Sequence, residues 1–324
     1  DKNEIYKISD LYPEQQIVVY MILHKIHEWL TCDDFSTFVP LRCTIIGQAG
    51  SGKSVLINTI TAAIRMLFEY NNVICIGCPT GTAAFNANGE TIHHMTAQGV
   101  SGEYKPFSLS DTKRRQLCEK FKHLLCLIID ERSLLTSKLF GSTAQILSET
   151  IFQGGISQQI IGALPVLVLV GDDYQLPSMS EGALDVLFRA FGSKMTQKGR
   201  QLFKDCATTV FKLSTIRRIS DERQNDKELL QRVRLGNAIT DEDVARLQLL
   251  HIDNIRDKHG PELVKKIEDE AIYLFWTNEK RMKHNLQRLG ATNTPENPTA
   301  IIKPIGYGYK SGKIIRSHFD SYVP

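Results

Sequence analysis

Apolar residues gather in short runs along the chain, rich in Val, Ile and Leu, with little alternation between apolar and polar positions. Six runs have this character, at 41–47, 72–79, 123–131, 164–172, 208–214 and 271–277. Strands that are buried on both faces show this pattern, which is typical of a parallel sheet covered by helices. We therefore predict that the six runs form strands of such a sheet.

Segments with helical periodicity separate the runs. The clearest cover 53–70, 226–237 and 240–250, and Gly236 and Thr240 are suitable stop and start residues for the last two. Strands that alternate with helices predict an α/β fold. A change of domain is expected between Met179 and Thr208, and the segment from about 291, rich in Pro, Gly and Asn, is predicted to be irregular.

Composition narrows the class of protein to which the chain can belong. The chain has 324 residues, enough for two domains, with a net charge of +3 and a pI of about 8.4, which leaves the partner open. Seven cysteines, an odd number, indicate reduced thiols in an intracellular protein. The longest apolar run is too short to span a bilayer and no signal peptide is recognisable, so no membrane partner is expected. Because the first residue is Asp1, we expect a piece of a longer protein.

The segment GQAGSGKS follows the first apolar run and precedes a helical stretch. It matches the phosphate-binding pattern GxxxxGK[ST] in full, in the context that the pattern requires. Backbone N–H groups of such a loop point at phosphate oxygens, and the helix N-terminus adds positive potential. We predict that Lys53 reaches the β- and γ-phosphates and that Ser54 binds Mg²⁺. The loop residues expected to hold the nucleotide are Gly47, Gln48, Ala49, Gly50, Ser51, Gly52, Lys53 and Ser54.

Two carboxylates end the third apolar run, in the sequence LIIDE. Asp130 is expected to orient the Mg²⁺ shell, and Glu131 to polarise the attacking water. A kinase for a small acceptor would not need that general base, and no NKxD-like base reader of a GTPase follows. The alternative interpretation is a strand end with solvated acids.

Two further strand ends carry polar residues. In VLVGDDYQLPSM, Asp172 and Gln175 come after a strand, where side chains line the ligand crevice of a parallel sheet. Gln175 is suited to donate to a γ-phosphate oxygen and to accept from water, although a turn closed by Asp172 is the alternative. In CPTGTAAFNANGETIHH, Thr80, Gly81 and His93 follow another strand, and chemistry alone does not assign them a role.

These blocks, together with LSTIRR and LLQRVRLGNAITDED, resemble the superfamily-one DNA helicases of the Pif type (petite integration frequency), relatives of the RecD helicases. The resemblance runs from about Leu11 to Asn285, and the combination of GDxxQLP with PTGxAA…TIH is highly specific. It implies a RecA-like parallel sheet with flanking helices, followed by a partial second RecA-like domain. The implied divisions are an N-terminal helical segment over 1–34, a P-loop ATPase domain over 35–200 and the partial second domain over 201–324.

The resemblance also implies an activity. The family uses ATP and Mg²⁺ to move 5′ to 3′ on single-stranded DNA and to unwind forked duplexes, in DNA repair, recombination or telomere maintenance. By this likeness Gln15 would contact the adenine edge, with Gln16 as the alternative, and Gln175 would couple the γ-phosphate state to movement. The arginine that reaches the γ-phosphate aligns with Arg218, with Arg217 as the register-shifted alternative.

For contact with DNA, the resemblance places Thr80, Gly81 and His93 in the segment that touches the strand. Further basic candidates fit a solvated surface better, and these are Lys113, Arg114, Arg115, Lys265 and Lys266.

The late motifs of the family have no match before Pro324. We therefore expect an incomplete second RecA-like domain, and a fragment that binds nucleotide but hydrolyses it weakly. Two rival functions are a non-motor relic of a mobile-element helicase, which only binds nucleic acid, and another P-loop NTPase. The expected location is intracellular, in the nucleus, with the mitochondrion as the alternative. Protein partners are not predicted.

Overall fold

The chain divides into two compact units, the first ending at Ile239 and the second beginning at Thr240. The sequence placed a domain boundary after residue 200, whereas the first unit of the structure continues through a further strand and helix. The structure is a computed structural model and describes residues 7–69, 71–99, 104–151, 161, 164–178, 192–216, 223–292, 294, 305–310 and 313–318.

Among the described residues, six strands form the sheet of the first unit, and every neighbouring pair is parallel. The strands are β1 (Leu41–Gly47), β2 (Ile74–Cys78), β3 (Glu90–Thr91), β4 (Cys126–Ile129), β5 (Val166–Gly171) and β6 (Val210–Leu213). Their order across the sheet is β3-β2-β4-β5-β1-β6. Since all strands run the same way, their carboxyl ends meet at one edge, where the end of β5 lies between those of β4 and β1.

The strands are covered on both faces, as the apolar runs predicted. Successive residues of a strand point to opposite faces, and in β4 Ile128 joins one hydrophobic cluster while Leu127 joins another. Val168 and Leu167 of β5 divide in the same way. The first cluster includes α1 (Pro13–Leu30) and α2 (Lys53–Leu67), and the second includes α5 (Asp111–Phe121), α6 (Ser137–Thr150) and α7 (Lys194–Ala207). This is the layered arrangement of an α/β fold.

Three further α-helices belong to the first unit in its described part, namely α3 (Gly81–Asn86), α4 (Ile92–Met95) and α8 (Gln224–Leu235). The Thr80 side chain caps α3 by accepting the N–H of Ala83 at 3.3 Å. Gly236 ends α8 in the left-handed conformation with φ of 68°, as predicted for a helix stop. Across the residues described, no helix has both the length and the apolar character that a membrane span requires.

The helices α6 and α7 approach each other backbone to backbone. A Cβ atom on Gly141 would lie 1.8 Å from the carbonyl oxygen of Met195, and one on Gly199 would lie 1.8 Å from that of Ser137. Any side chain at either position would therefore collide with a main-chain atom of the other helix. The two glycines fix how close the helices stand.

The second unit, where the structure describes it, contains four helices and a hairpin. These are α9 (Asp241–Leu249), α10 (Ile252–His259), α11 (Pro261–Glu270) and α12 (Asn278–Thr292), with β7 (Ile305–Lys310) antiparallel to β8 (Lys313–His318). α9 begins after Thr240, the predicted start residue, which forms a capping box with Asp243. The N–H of Asp243 donates to Thr240 Oγ1 at 3.1 Å, and the N–H of Thr240 donates to an Asp243 carboxylate oxygen at 2.9 Å.

Five of the six predicted strands are present, and the prediction for 271–277 is wrong. This segment pairs with no strand in the described part of the chain. Ile272, Leu274 and Trp276 are 91%, 94% and 97% exposed. An apolar run becomes a strand only where a neighbouring strand offers N–H and C=O groups, and sequence periodicity does not report that neighbour.

The segment after residue 291 was predicted to be irregular, and this is wrong for the hairpin. Its strands pair from Ile305 with His318 to Lys310 with Lys313. The strand IGYGYK alternates large residues with glycine, which is the period of a strand, but its glycines also raised the turn-like composition of the segment. β3 was not predicted either, because two residues are too few to show a period.

Replacing Gly141 or Gly199 by Ala should lower the free energy of unfolding by about 1–3 kcal/mol or more, because the new methyl group meets a carbonyl that has no rotamer to change. Urea denaturation followed by circular dichroism measures the loss. Gly81→Ala is the control in the same unit, since no atom of the described part of the chain lies within 4 Å of its Cβ position. Its stability should stay within about 0.5 kcal/mol of the wild-type value. Unchanged stability in Gly141→Ala would contradict the close approach of α6 and α7.

Candidate nucleotide site

The phosphate-binding loop lies between the end of β1 and the start of α2. Gly50 and Gly52 have φ of 87° and 83°, in the left-handed region that favours glycine. No side chain among the described residues caps the N-terminus of α2 at Gly52, so the first-turn N–H groups are available to an anion. A Cβ atom on Gly47 would lie 2.2 Å from Ser51 Oγ, which shows how tightly the loop closes.

The Lys53 side chain lies along this loop. Its Nζ donates a hydrogen bond to the carbonyl oxygen of Gly47 at 2.6 Å and another to that of Gln48 at 3.1 Å. Burial lowers the pKa of Lys53, and the charges of the carboxylates that follow β4 and β5 oppose this shift. The ammonium and these carboxylates therefore act on one another at a single edge of the sheet.

Two carboxylates follow β4 directly, as predicted. The N–H of Asp130 donates to the carbonyl oxygen of Gly77 in β2 at 3.0 Å, and its Oδ1 accepts the N–H of Glu131 at 2.9 Å. Burial raises the pKa of both carboxyls, Asp130 raises that of Glu131 further, and Lys53 opposes both shifts. Glu131 has φ of 56° and ψ of 50°, a left-handed conformation that is uncommon outside glycine and clusters at functional sites.

Two aspartates follow β5, and each pairs with an arginine from another part of the chain. Asp172 accepts two hydrogen bonds from the guanidinium of Arg234 in α8, at 2.5 and 2.6 Å. Asp173 accepts one from Arg132 Nε at 2.8 Å, and Arg132 also donates to Thr44 Oγ1 in β1 at 3.3 Å. Sequence reasoning missed both pairs, because nothing in the spacing of the residues relates the partners. The pairs connect α8 and the segment after β4 to the end of β5.

Gln15, and not its neighbour Gln16, contacts the phosphate-binding loop. Gln15 is 3% exposed, donates from Nε2 to the carbonyl oxygen of Gly52 at 3.4 Å, and accepts the N–H of Tyr12 at 3.1 Å. Gln16 donates instead to the carbonyl oxygen of Leu11 at 2.8 Å. The position at the loop supports Gln15 as the adenine-reading residue, and that role stays a prediction.

A cleft of about 850 Å³ holds two of the residues predicted to contact DNA. Thr80 and His93 line it, together with residues of α6 such as Lys138 and of the turn after β5 such as Pro177. Gly81 begins α3 beside Thr80 and is exposed. The structure therefore brings two strand ends and a helix together around one concave surface.

The turn after β5 connects the cleft with the nucleotide site. Gln175 is exposed on this turn, and its N–H donates to the carbonyl oxygen of Asp172 at 3.1 Å. Leu176, the next residue, lines the cleft. Further along the turn, the N–H of Ser178 donates to the carbonyl oxygen of Ser133 at 2.9 Å. One side of the turn thus faces the cleft, while its ends are fixed beside the carboxylates of β4 and β5.

The other predicted residues lie as follows. Ser54 is exposed in the first turn of α2, and Ala49 belongs to the phosphate-binding loop. Arg218 and its alternative Arg217 lie outside the described residues. Of the basic candidates, α5 carries Lys113, Arg114 and Arg115, and α11 in the second unit carries Lys265 and Lys266. All of them except Arg114 are exposed.

The site fits a triphosphate with Mg²⁺. Ser51 Oγ is buried without a hydrogen-bond partner in the described part of the chain, and a phosphate oxygen would provide one. The Ser54 hydroxyl and the Asp130 carboxylate are hard oxygen ligands of the kind that Mg²⁺ prefers. Adjacent carboxyls whose pKa values are raised by burial would also be stabilised by a nearby cation.

Known proteins share both the sequence pattern and the fold. The sequence profile of the PIF1-like helicase family matches residues 21–244. This chain belongs to the PIF1-like helicase family. Among its relatives, the ATP-dependent DNA helicase PIF1 of Saccharomyces cerevisiae (strain YJM789) is 28% identical over 192 residues, which are 59% of this chain and 21% of that protein. The family predicted from the motifs is confirmed.

Solved structures of Pif1 helicases have the same fold. The Pif1 helicase from Candida albicans superposes with a TM-score of 0.56 at 24% identity, covering 88% of this chain and 55% of that one. The Bacteroides Pif1 helicase in complex with ADP-AlF3 and ssDNA superposes with a TM-score of 0.51 at 17% identity, covering 95% and 79%. The predicted RecA-like parallel sheet is confirmed. The chain spans about a fifth of the yeast relative and just over half of the Candida albicans structure.

Gln15→Ala should weaken the binding of Mg²⁺–ATP about threefold to tenfold and reduce the preference for ATP over GTP, because it removes one hydrogen-bonding side chain beside Gly52. Displacement of a fluorescent nucleotide by ATP and by GTP measures both effects. Gln16→Ala is the matched control on the same helix and should stay within about twofold of wild type, because its side chain bonds to Leu11. The opposite result would assign the base contact to Gln16.

Proposed function

We propose that the chain is the nucleotide-binding part of an ATP-dependent DNA helicase that moves 5′ to 3′ on single-stranded DNA and unwinds duplexes. The observation that carries the proposal is the meeting of Lys53, Asp130 and Glu131 at one sheet edge, next to a cleft that shares a turn with that edge. The relatives support it, since they are named DNA helicases and one was solved with ADP-AlF3 and ssDNA.

Each group at the site has a task that its chemistry supports. Lys53 and the first-turn N–H groups of α2 bind the β- and γ-phosphates. Mg²⁺, held by Ser54 and Asp130, would neutralise charge on the phosphate oxygens. Glu131 accepts the proton of the attacking water, and the raised pKa of its carboxyl makes it a better base than an ordinary surface glutamate.

The turn after β5 provides the coupling between ATP and DNA. Gln175 contacts the γ-phosphate from this turn, and Leu176 and Pro177 of the same turn form part of the cleft. A DNA strand in the cleft would also contact Thr80 and His93, which line the same cleft. Loss of the γ-phosphate therefore changes the wall of the cleft through a displacement of a few residues.

Two other functions fit the site less well. In a small-molecule kinase the base accepts the proton of an acceptor hydroxyl, whereas the sequence around Glu131 lies within the match to the PIF1-like helicase family. A nucleic-acid-binding relic would not need to keep Lys53, Asp130 and Glu131 within reach of one another's charges. The compartment stays part of the proposal, which places the protein in the nucleus, or alternatively in the mitochondrion.

Glu131→Gln should lower the rate of ATP hydrolysis by about 10²- to 10⁴-fold, because the amide cannot accept the proton of water. The affinity for Mg²⁺–ATP should stay within about threefold, since the lost group does not bind phosphate. Phosphate release with and without a single-stranded oligonucleotide measures the rate, and nucleotide displacement measures the affinity. In the full-length protein, addition of the oligonucleotide should raise the wild-type rate, whereas the 324-residue chain should hydrolyse ATP only weakly with or without it.

Three results would count against this function. A rate that responds to a small phosphate acceptor and not to DNA would indicate a kinase. Binding of DNA without any ATP hydrolysis would indicate the relic. Equal loss of affinity and rate in Glu131→Gln would show that Glu131 supports the structure of the site and is not its base.

Lys138→Ala should weaken the binding of single-stranded DNA and make it less sensitive to salt. Each phosphate that a cation neutralises contributes about −0.7 to the slope of log affinity against log salt concentration on single strands, so the slope should fall by about that amount. Fluorescence anisotropy of a labelled oligonucleotide at several salt concentrations measures it. Lys204→Ala removes the same charge from an exposed position on α7, outside the cleft, and should leave the slope unchanged. Equal slopes for both variants would place the strand elsewhere.

A further inference from the structure

Arg234 reaches the nucleotide site from α8, 62 residues after its partner Asp172. Nη1 donates to Oδ2 at 2.6 Å and Nη2 donates to Oδ1 at 2.5 Å, so the pair is bidentate. The guanidinium carbon also lies 4.5 Å from the centre of the Tyr174 ring, within the range of a cation–π contact. The position and orientation of the guanidinium are therefore fixed by two side chains of one turn, the Asp172 carboxylate and the Tyr174 ring.

The carboxylate that Arg234 holds is deeply buried. The Asp172 side chain is 1% exposed, while that of Arg234 is 19% exposed. The third hydrogen bond to the Asp172 carboxylate comes from the N–H of Tyr174 at 3.1 Å. Burial raises the pKa of Asp172, but the hydrogen bonds and charge of Arg234, with smaller contributions from Tyr174 and Lys53, bring the pKa below its usual value. Asp172 is ionised, and Arg234 is its main counter-charge.

Lys53 belongs to the same group of charges. Ile46 of β1 lies opposite Gly171 of β5, so Asp172 follows β5 beside Gly47, whose carbonyl oxygen accepts a hydrogen bond from Lys53 Nζ at 2.6 Å. The charge of Asp172 accordingly raises the pKa of Lys53, and that of Arg234 lowers it. A buried carboxylate that has lost its partner is strongly unfavourable. Beside Arg234, Lys53 is the cation whose charge lowers the pKa of Asp172, and its ammonium is also the predicted contact for the β- and γ-phosphates.

We propose that Arg234 is a positioning residue of the nucleotide site, which neutralises Asp172 and so leaves Lys53 to the triphosphate. By holding Asp172 and Tyr174 it also fixes the turn that carries Gln175. The inference rests on the proposed function, because it assigns Arg234 a place in ATP binding. Both donor nitrogens of Arg234 face Asp172, so it acts through that carboxylate and has a different task from the arginine predicted at Arg218.

The test is a set of affinity measurements for Mg²⁺–ATP and Mg²⁺–ADP on the 324-residue chain. Arg234→Gln should weaken ATP binding about tenfold or more, because one partner of a buried charge pair is lost. ADP binding should weaken less, since the γ-phosphate adds negative charge beside the unpaired carboxylate. The double variant Asp172→Asn with Arg234→Gln should recover most of the affinity, because its neutral amide no longer competes for Lys53.

Two further variants separate charge from shape and from helix effects. Arg234→Lys keeps the charge but cannot form both parallel hydrogen bonds, and its ATP affinity should fall between those of wild type and Arg234→Gln. Arg232→Gln removes the same charge from the same helix, where Arg232 pairs with Glu228 at 3.8 Å, and should bind ATP like wild type. Should Arg234→Gln fail to fold, Arg234→Lys and the double variant carry the same comparison of ATP with ADP.

Several results would overturn the inference. If ATP and ADP binding fall equally and the double variant recovers nothing, the pair has only a structural role. If Arg234→Gln binds ATP as wild type does, while Lys53→Ala does not, the inference fails and the proposed function stands. If wild type and Lys53→Ala bind ATP equally, the proposed function fails, and the inference with it.

Discussion

Opposite charges lie close together at the carboxyl edge of the parallel sheet, and the elements around this edge contribute the side chains that neutralise one another. The ammonium of Lys53 is partly buried, and burial of an unpaired charge is costly. Parallel strands solve the problem because their ends lie side by side, so that carboxylates after β4 and β5 stand near a lysine that follows β1. The helix α8 contributes to the same neutralisation, because Asp172 is also buried and pairs with Arg234 of that helix.

Two neighbouring carboxylates at this edge differ in environment although they are adjacent in sequence. Asp130 accepts a backbone N–H and continues the line of β4, which suits a group that holds a cation in one place. Glu131 turns out of that line through its left-handed backbone, and its pKa is raised by burial and by Asp130. Burial raises the pKa of Asp130 as well, so the two acids differ in backbone conformation and hydrogen bonding rather than in the direction of their pKa shifts.

Features formed by residues close together in the sequence could be predicted, whereas contacts between residues far apart in the sequence could not. The strand β1 and the loop to Lys53 follow from a local motif and a local period, as does the capping box at Thr240. The Arg234–Asp172 pair joins residues 62 positions apart, and Arg234 looked like any other charge on an exposed helix. The apolar run at 271–277 shows the converse, because a strand-like composition does not supply a partner strand.

The glycine contact between α6 and α7 has a mechanical consequence for the neighbouring cleft. Lys138, Leu139 and Ser142 of α6 line that cleft, and Gly141 stands among them with its backbone against Met195. Main-chain atoms in contact have no side chains between them to rearrange, so the two helices behave as one stiff plate. If a DNA strand occupies the cleft, as proposed, the wall formed by α6 and α7 would stay fixed. Any change in the shape of the cleft would then have to come from the turn after β5, where Leu176 and Pro177 line it.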